Sequence, residues 1–178
     1  MELRVFQPID IKDTDEGPFQ FGGDNWTLIT AAKAPEVGDT SLKVNTMTAS
    51  WGGITYIWEK RCAVIYVRES RYTREFLDEA GRFSLCFFDH AKFRGAMKYL
   101  GSVSGRNEDK IAGARLTVAY DSGIPYFNEA KDVLLCRTLY RQDFKPECFT
   151  DRKIREEFYE KGDEHTMYIA EIKKVMIR

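Results

Sequence analysis

Residues 44–73 read VNTMTASWGGITYIWEKRCAVIYVRESRYT: two strand-like runs, a glycine-hinged aromatic turn between them, and an Arg/Ser/Thr-rich loop at the far end. From Leu42 to Ser50 the chain alternates Leu42, Val44, Thr46, Thr48 and Ser50 against Lys43, Asn45, Met47 and Ala49. A two-residue period of this kind predicts a strand with one wet face. Trp51, Gly52 and Gly53 turn the chain, and Ile54 to Trp58 continue it. Arg61 to Val67 is apolar throughout its second half and reads as a buried strand. Short hydroxyl and amide side chains at one edge of such a pair, with arginines at the other, suit a flat aromatic ligand carrying a phosphate tail.

Working outward, Trp26 to Ala31 reads as a strand and Pro35 to Asp39 as a connection. The first 24 residues hold a short strand (Leu3–Phe6) broken by Pro8, with turns at Gly17-Pro18 and Gly22-Gly23. After the opening stretch, Ser70 to Thr73 offer cap residues for a helix over Arg74–Ala80 that Gly81 ends. Arg82–Phe88 is a strand. His90–Leu100 places Phe93, Ala96, Met97 and Leu100 at helical spacing, with Gly101 read as its stop. Ser102–Gly113 is a polar loop or short helix. Strands return at Leu116–Tyr120, Ile124–Phe127 and Val133–Phe144, then a helix at Ile154–Glu160 and a closing strand at Thr166–Ile177. Strands outnumber helices and come in groups, which predicts a mainly β, antiparallel barrel with peripheral helices rather than a doubly wound parallel sheet. No repeat or linker divides the chain, so residues 1–178 are read as one domain.

Composition narrows the function. Hydrophobic residues make up 43% and charged residues of both signs 31%, a globular composition. A net charge of −1 gives no electrostatic support to a nucleic-acid or polybasic membrane role. No apolar run approaches the roughly 20 residues of a membrane span, and the amino-terminal residues lack a signal-peptide core, so a cytoplasmic location is the expectation. The four cysteines, Cys62, Cys86, Cys136 and Cys148, form no C-x-x-C pair and read as reduced thiols. With His90 and His165 the only histidines, no metal site is expected.

There is no G-x-S-x-G, H-E-x-x-H, Walker loop or G-x-G-x-x-G. A chain without a strong nucleophile points to borrowed reactivity, that is, a cofactor. Arg68, Arg71 and Thr73 fall together where a strand meets a helix start, a place where free N–H groups and guanidinium forks attract phosphate. Ser102, Ser104, Gly105, Arg106 and Lys110 repeat the idea in a second loop. From Asn45 to Trp51, main-chain amides and the Thr48 and Ser50 hydroxyls lie beside an indole. They could serve the polar edge of a redox-active ring, or Trp51 and Trp58 could simply be core aromatics.

NTMTASWGG (45–53), Trp58, VRESRYT (67–73) and GSVSGRNEDK (101–110) together resemble the flavin reductase-like family of FMN-binding split-barrel proteins, which includes flavoredoxins. The similarity continues through EAKDVLLCRTLY, IREEFY and GDEHTMYIAEI in consistent order. The resemblance implies an antiparallel, Greek-key split β-barrel forming a homodimer with FMN near the subunit interface. Electrons would pass from NAD(P)H or a reduced partner to a small-molecule or protein acceptor. The alternatives are a non-catalytic FMN electron carrier and a flavin- or haem-binding module. Carried over by position, Thr48, Ala49, Ser50 and Trp51 would line the flavin ring, and Asn45 is a further cofactor-binding candidate. Arg68, Arg71, Tyr72 and Thr73 would hold the phosphate, with Ser102, Ser104 and Lys110 closing over it. His165 is the candidate catalytic side chain. Where relatives carry a proline near position 61, this chain has Glu59-Lys60-Arg61-Cys62, which implies a reshaped loop over the ring.

Overall fold

The computed structural model describes residues 19, 21–23, 25–35 and 40–178. The strand expected at Leu3–Phe6, the turn at Gly17-Pro18 and, beyond Pro35 itself, the connection to Asp39 lie outside these. The rest is mainly β and wholly antiparallel, as the grouping of strands predicts. β1 (Thr27–Lys33), β2 (Lys43–Ala49), β3 (Gly52–Ile57), β4 (Lys60–Arg68), β5 (Arg82–Phe87), β8 (Asp132–Asp143) and β9 (His165–Ile177) form one sheet, ordered β2-β1-β5-β8-β9-β4-β3. β6 (Val118–Asp121) and β7 (Ile124–Phe127) form a separate hairpin. The helices are α1 (Tyr72–Ala80), α2 (His90–Ser102), α3 (Lys110–Gly113) and α4 (Arg152–Tyr159).

The large sheet curls around one interior. Ile29 of β1, Ile65 and Val67 of β4, Phe83 and Leu85 of β5, Leu134 of β8 and Tyr168 of β9 meet in a single buried cluster, although β1 and β4 are far apart in the strand order. Phe76 and Leu77 of α1 join it. A nine-residue helix is too short to be stable alone, and burying two such side chains, about 1.5–3 kcal/mol each, is what holds it. A second cluster, with Leu28, Cys86, Met97, Leu100, Phe127 and Leu135, packs α2 and the β6–β7 hairpin on the other face.

Several expectations needed revision. β2 has no wet face: α1 covers one side and α2 the other, so Asn45 and Thr46 are both buried. The Thr46 hydroxyl bonds Thr30 and the Ile29 carbonyl, which satisfies it there. Gly101 does not stop α2. It lies inside the helix, and a Cβ there would sit 2.9 Å from the Thr48 Oγ1, so the glycine permits close approach to β2. The α1 N-cap is Arg71, and no side chain caps it; Gly81, at φ 61°, ends the helix as expected. Trp51 and Trp58 are not core residues, being 44% and 52% exposed. Residues 58–62 make a tight turn: Ile57 pairs with Lys60 with Trp58 and Glu59 left-handed between them, and Arg61 lies in β4 over Tyr56. Cys62, Cys86 and Cys136 are buried free thiols, whereas Cys148 is exposed in a short turn beside Phe149.

Candidate functional site

At the β2 edge, the N-terminus of α1 and the last turn of α2 converge. Between them is a cleft of about 180 Å³, whose lining includes Asn45, Arg71, Tyr72, Thr73, Ser102, Ser104 and Lys110. A second cleft of about 220 Å³ runs along the end of β2 and is lined by Thr48, Ala49, Ser50, Trp51, Tyr66, Arg68 and His165. The two share Met47, Thr48 and Arg71 and so form one continuous trough with two ends. No carboxylate lines either end among the described residues.

The first end is cationic. The Arg71 guanidinium has no hydrogen-bond or ion-pair partner among the described residues, and it lines both clefts. The uncapped N-terminus of α1 adds free N–H groups and a partial positive charge. Lys110 is only 5% exposed and has no ion-pair partner among the described residues. Burial, and then the nearby Arg71 charge, push its ammonium down to about 8. Its Nζ donates to the Leu100 and Val103 carbonyls at 3.2 and 3.3 Å, tying the 103–110 loop to the end of α2. Asn45 donates to the Thr73 hydroxyl at 2.9 Å, which leaves the Thr73 hydrogen free to point elsewhere. Gly105 seats the loop on β2, since a Cβ there would collide with the Asn45 side-chain oxygen.

Two of the expected cations already have protein partners. Arg68 lines the second cleft, not the first, and is already committed: it donates to the carbonyls of Asp163 and Phe158 and lies 5.2 Å over the Tyr159 ring. Arg106 pairs with Glu75 at 2.6 Å and stacks on Tyr72 at 4.4 Å. It lines an adjoining cavity that shares Asn45, Gly105 and Lys110 with the first cleft. Ser70 is held by Asp163 through both its amide and its hydroxyl.

The other end is aromatic and open. Trp51 packs 5.2 Å from the His165 imidazole and edge-on to Phe158 at 5.5 Å. His165 Nδ1 is 2.7 Å from the Tyr159 hydroxyl, and both residues are buried. Desolvation first, and the Arg68 charge second, push the imidazole down to about 4, so it is neutral near pH 7. The sequence reading missed Met47, Tyr66 and Gly101 as lining residues and Tyr159 as the partner of His165. Met47 was legible, since it falls on the same side of β2 as Asn45 and Ala49. Tyr66 and Tyr159 carried no local signal.

Residues 24–178 match the family described as flavin reductase like domain. The chain belongs to that family. Its fold matches an FMN-binding protein of Thermus thermophilus with bound p-hydroxybenzaldehyde at 18% identity and a TM-score of 0.64, covering 97% of this chain and 82% of that one. Flavoredoxin from Methanosarcina acetivorans gives 20% identity and a TM-score of 0.65, covering 97% and 76%. Flavoredoxin of Desulfovibrio vulgaris (Miyazaki F) gives 20% and 0.64, covering 97% and 77%. No curated protein matches the sequence. The architecture is therefore the antiparallel split barrel of this family. No helix among the described residues is long and apolar enough to cross a membrane, and these residues contain no group of three or more His, Cys, Asp and Glu able to hold a metal.

Proposed function

We propose that the trough binds FMN and that the chain is a flavin-dependent oxidoreductase of the flavin reductase type. The observation that carries this is Arg71, a guanidinium without a partner among the described residues, shared by a cationic cleft and an aromatic one. The residues present fit the cofactor. A phosphate would be held by Arg71, the α1 amides, the Thr73 and Ser104 hydroxyls and, through its positive charge, Lys110. The ring would lie along Thr48, Ala49, Ser50 and Trp51, with Asn45 and Tyr72 supporting the phosphate end and Ser102 completing its rim. When bound, FMN supplies the electron-accepting and electron-donating chemistry, with NAD(P)H or a reduced protein as donor and a small molecule or protein as acceptor. The chain contributes orientation, an apolar shelf and preset donors. Among the described residues, His165, neutral and lining the ring end, is the only titratable side chain there apart from Tyr66 and the two arginines.

Trp51 is 44% exposed, which leaves the ring end accessible to another protein. This favours a second reading, a flavoredoxin-like carrier that exchanges electrons with proteins only. Ile54, Tyr56 and Trp58 are likewise exposed on and beside the edge strand β3, and we assign this surface to a homodimer contact. Sedimentation as a monomer at micromolar concentration would remove that assignment. FMN titration of the purified protein, followed by steady-state NADH and NADPH oxidation with and without added FMN, tests the function. Saturable FMN binding with turnover supports the reductase, and binding without turnover supports the carrier. Absence of FMN binding sinks both.

A further inference from the structure

The Tyr159–His165 contact has a direction. Tyr159 is 3% exposed, its hydroxyl has one hydrogen, and its one hydrogen-bond partner among the described residues is His165 Nδ1, at 2.7 Å. Were Nδ1 to carry the imidazole proton, the phenol would accept and its own hydrogen would be buried without an acceptor, an arrangement that folded proteins avoid. With the phenol donating, Nδ1 is the acceptor and the proton sits on Nε2. That second nitrogen has no protein partner among the described residues, and it belongs to an imidazole that lines the ring end of the trough. Tyr159 is itself fixed from behind. Arg68 lies over its ring while bonding the carbonyls of Phe158, next to Tyr159, and Asp163, two residues before His165. Trp51 supports the imidazole from the other side.

We propose that Tyr159 is a positioning residue: it holds His165 in the Nε2–H tautomer, so the ring end presents a neutral N–H donor matched to an uncharged carbonyl-type oxygen on the molecule bound there. A neutral imidazole of fixed tautomer offers one directed N–H donor, whereas an imidazolium would add a further charge beside Arg68 and Arg71. The placement of a ligand at this end rests on the FMN reading above; the tautomer does not.

Nitrogen-15 NMR of the histidine rings in the flavin-free protein near neutral pH tests this, with His90→Gln used to assign the two histidines. In the unsubstituted chain His165 is expected to show a pyridine-type Nδ1 and a protonated, pyrrole-type Nε2. The reverse pattern, or a mixture of tautomers, overturns the proposal. In Tyr159→Phe the preference is expected to collapse toward a mixture; an unchanged single tautomer in that variant overturns Tyr159 as its cause. Should Tyr159→Phe fail to fold, the unsubstituted spectrum still decides the tautomer. Because these spectra need no flavin, failure of FMN binding and failure of this proposal are read separately.

Discussion

The two ends of the trough are built from opposite materials. At one end, charges and amides converge in a partly enclosed space: a buried Lys110, an unpaired Arg71 and the bare start of α1. At the other, half-exposed Trp51 lies over the buried His165 beside Tyr66, and among the described residues the one cation there other than the shared Arg71, Arg68, is occupied with backbone carbonyls. The difference teaches where affinity and selectivity reside. Desolvated charges meeting a phosphate give strong, orientation-fixing bonds, whereas a half-exposed aromatic shelf contributes stacking and leaves room for exchange of partners.

That contrast can be broken by substitution. Arg71→Ala is expected to weaken FMN binding most, by about 1.5–3 kcal/mol, the worth of a charge-assisted hydrogen bond. Flavin fluorescence titration measures it, and an unchanged dissociation constant would move the phosphate elsewhere. Raising the pH acts through Lys110. Its ammonium is held near 8 in the free protein, and a bound phosphate dianion raises that value, so binding takes up a proton above about pH 8. Affinity is therefore full below about pH 8 and falls above it, by at most about tenfold per pH unit. Titrations at about pH 7 and about pH 9 sharpen the comparison, and Lys110→Met should flatten the difference between them. The smallest effect is expected at the open end: Trp51→Ala should cost about 0.5–1.5 kcal/mol of flavin affinity. A larger loss than for Arg71→Ala would reverse the assignment of roles.

The same contrast governs what the sequence disclosed. The anion end is assembled largely from short contiguous stretches, 71–73 and 102–110, so clustered hydroxyls and cations announce it. What those stretches hide is pairing. Arg68 and Arg106 look equivalent to Arg71 until Asp163 and Glu75, distant in the chain, are brought beside them. The ring end depends on sheet register: β4 pairs Arg68 with His165, and only that pairing brings His165 toward Trp51. Strand positions were legible from periodicity, but their coverage was not. β2 alternates like a strand with one wet face, yet α1 and α2 bury it on both sides. Gly101 shows the same limit: beyond Leu100 it resembles a helix stop, and only the proximity of Thr48 shows why glycine is required within the helix.

The distribution of thiols has a practical consequence. Cys62, Cys86 and Cys136 are sealed within strands, and Cys148 alone reaches solvent, next to a cavity walled by Phe144, Phe149 and Met167. A maleimide dye applied to the native chain should attach there with no engineered cysteine. Phe144 also packs against Tyr66 and His165, so the label would sit behind the trough's aromatic wall and report on its occupancy without blocking its mouth.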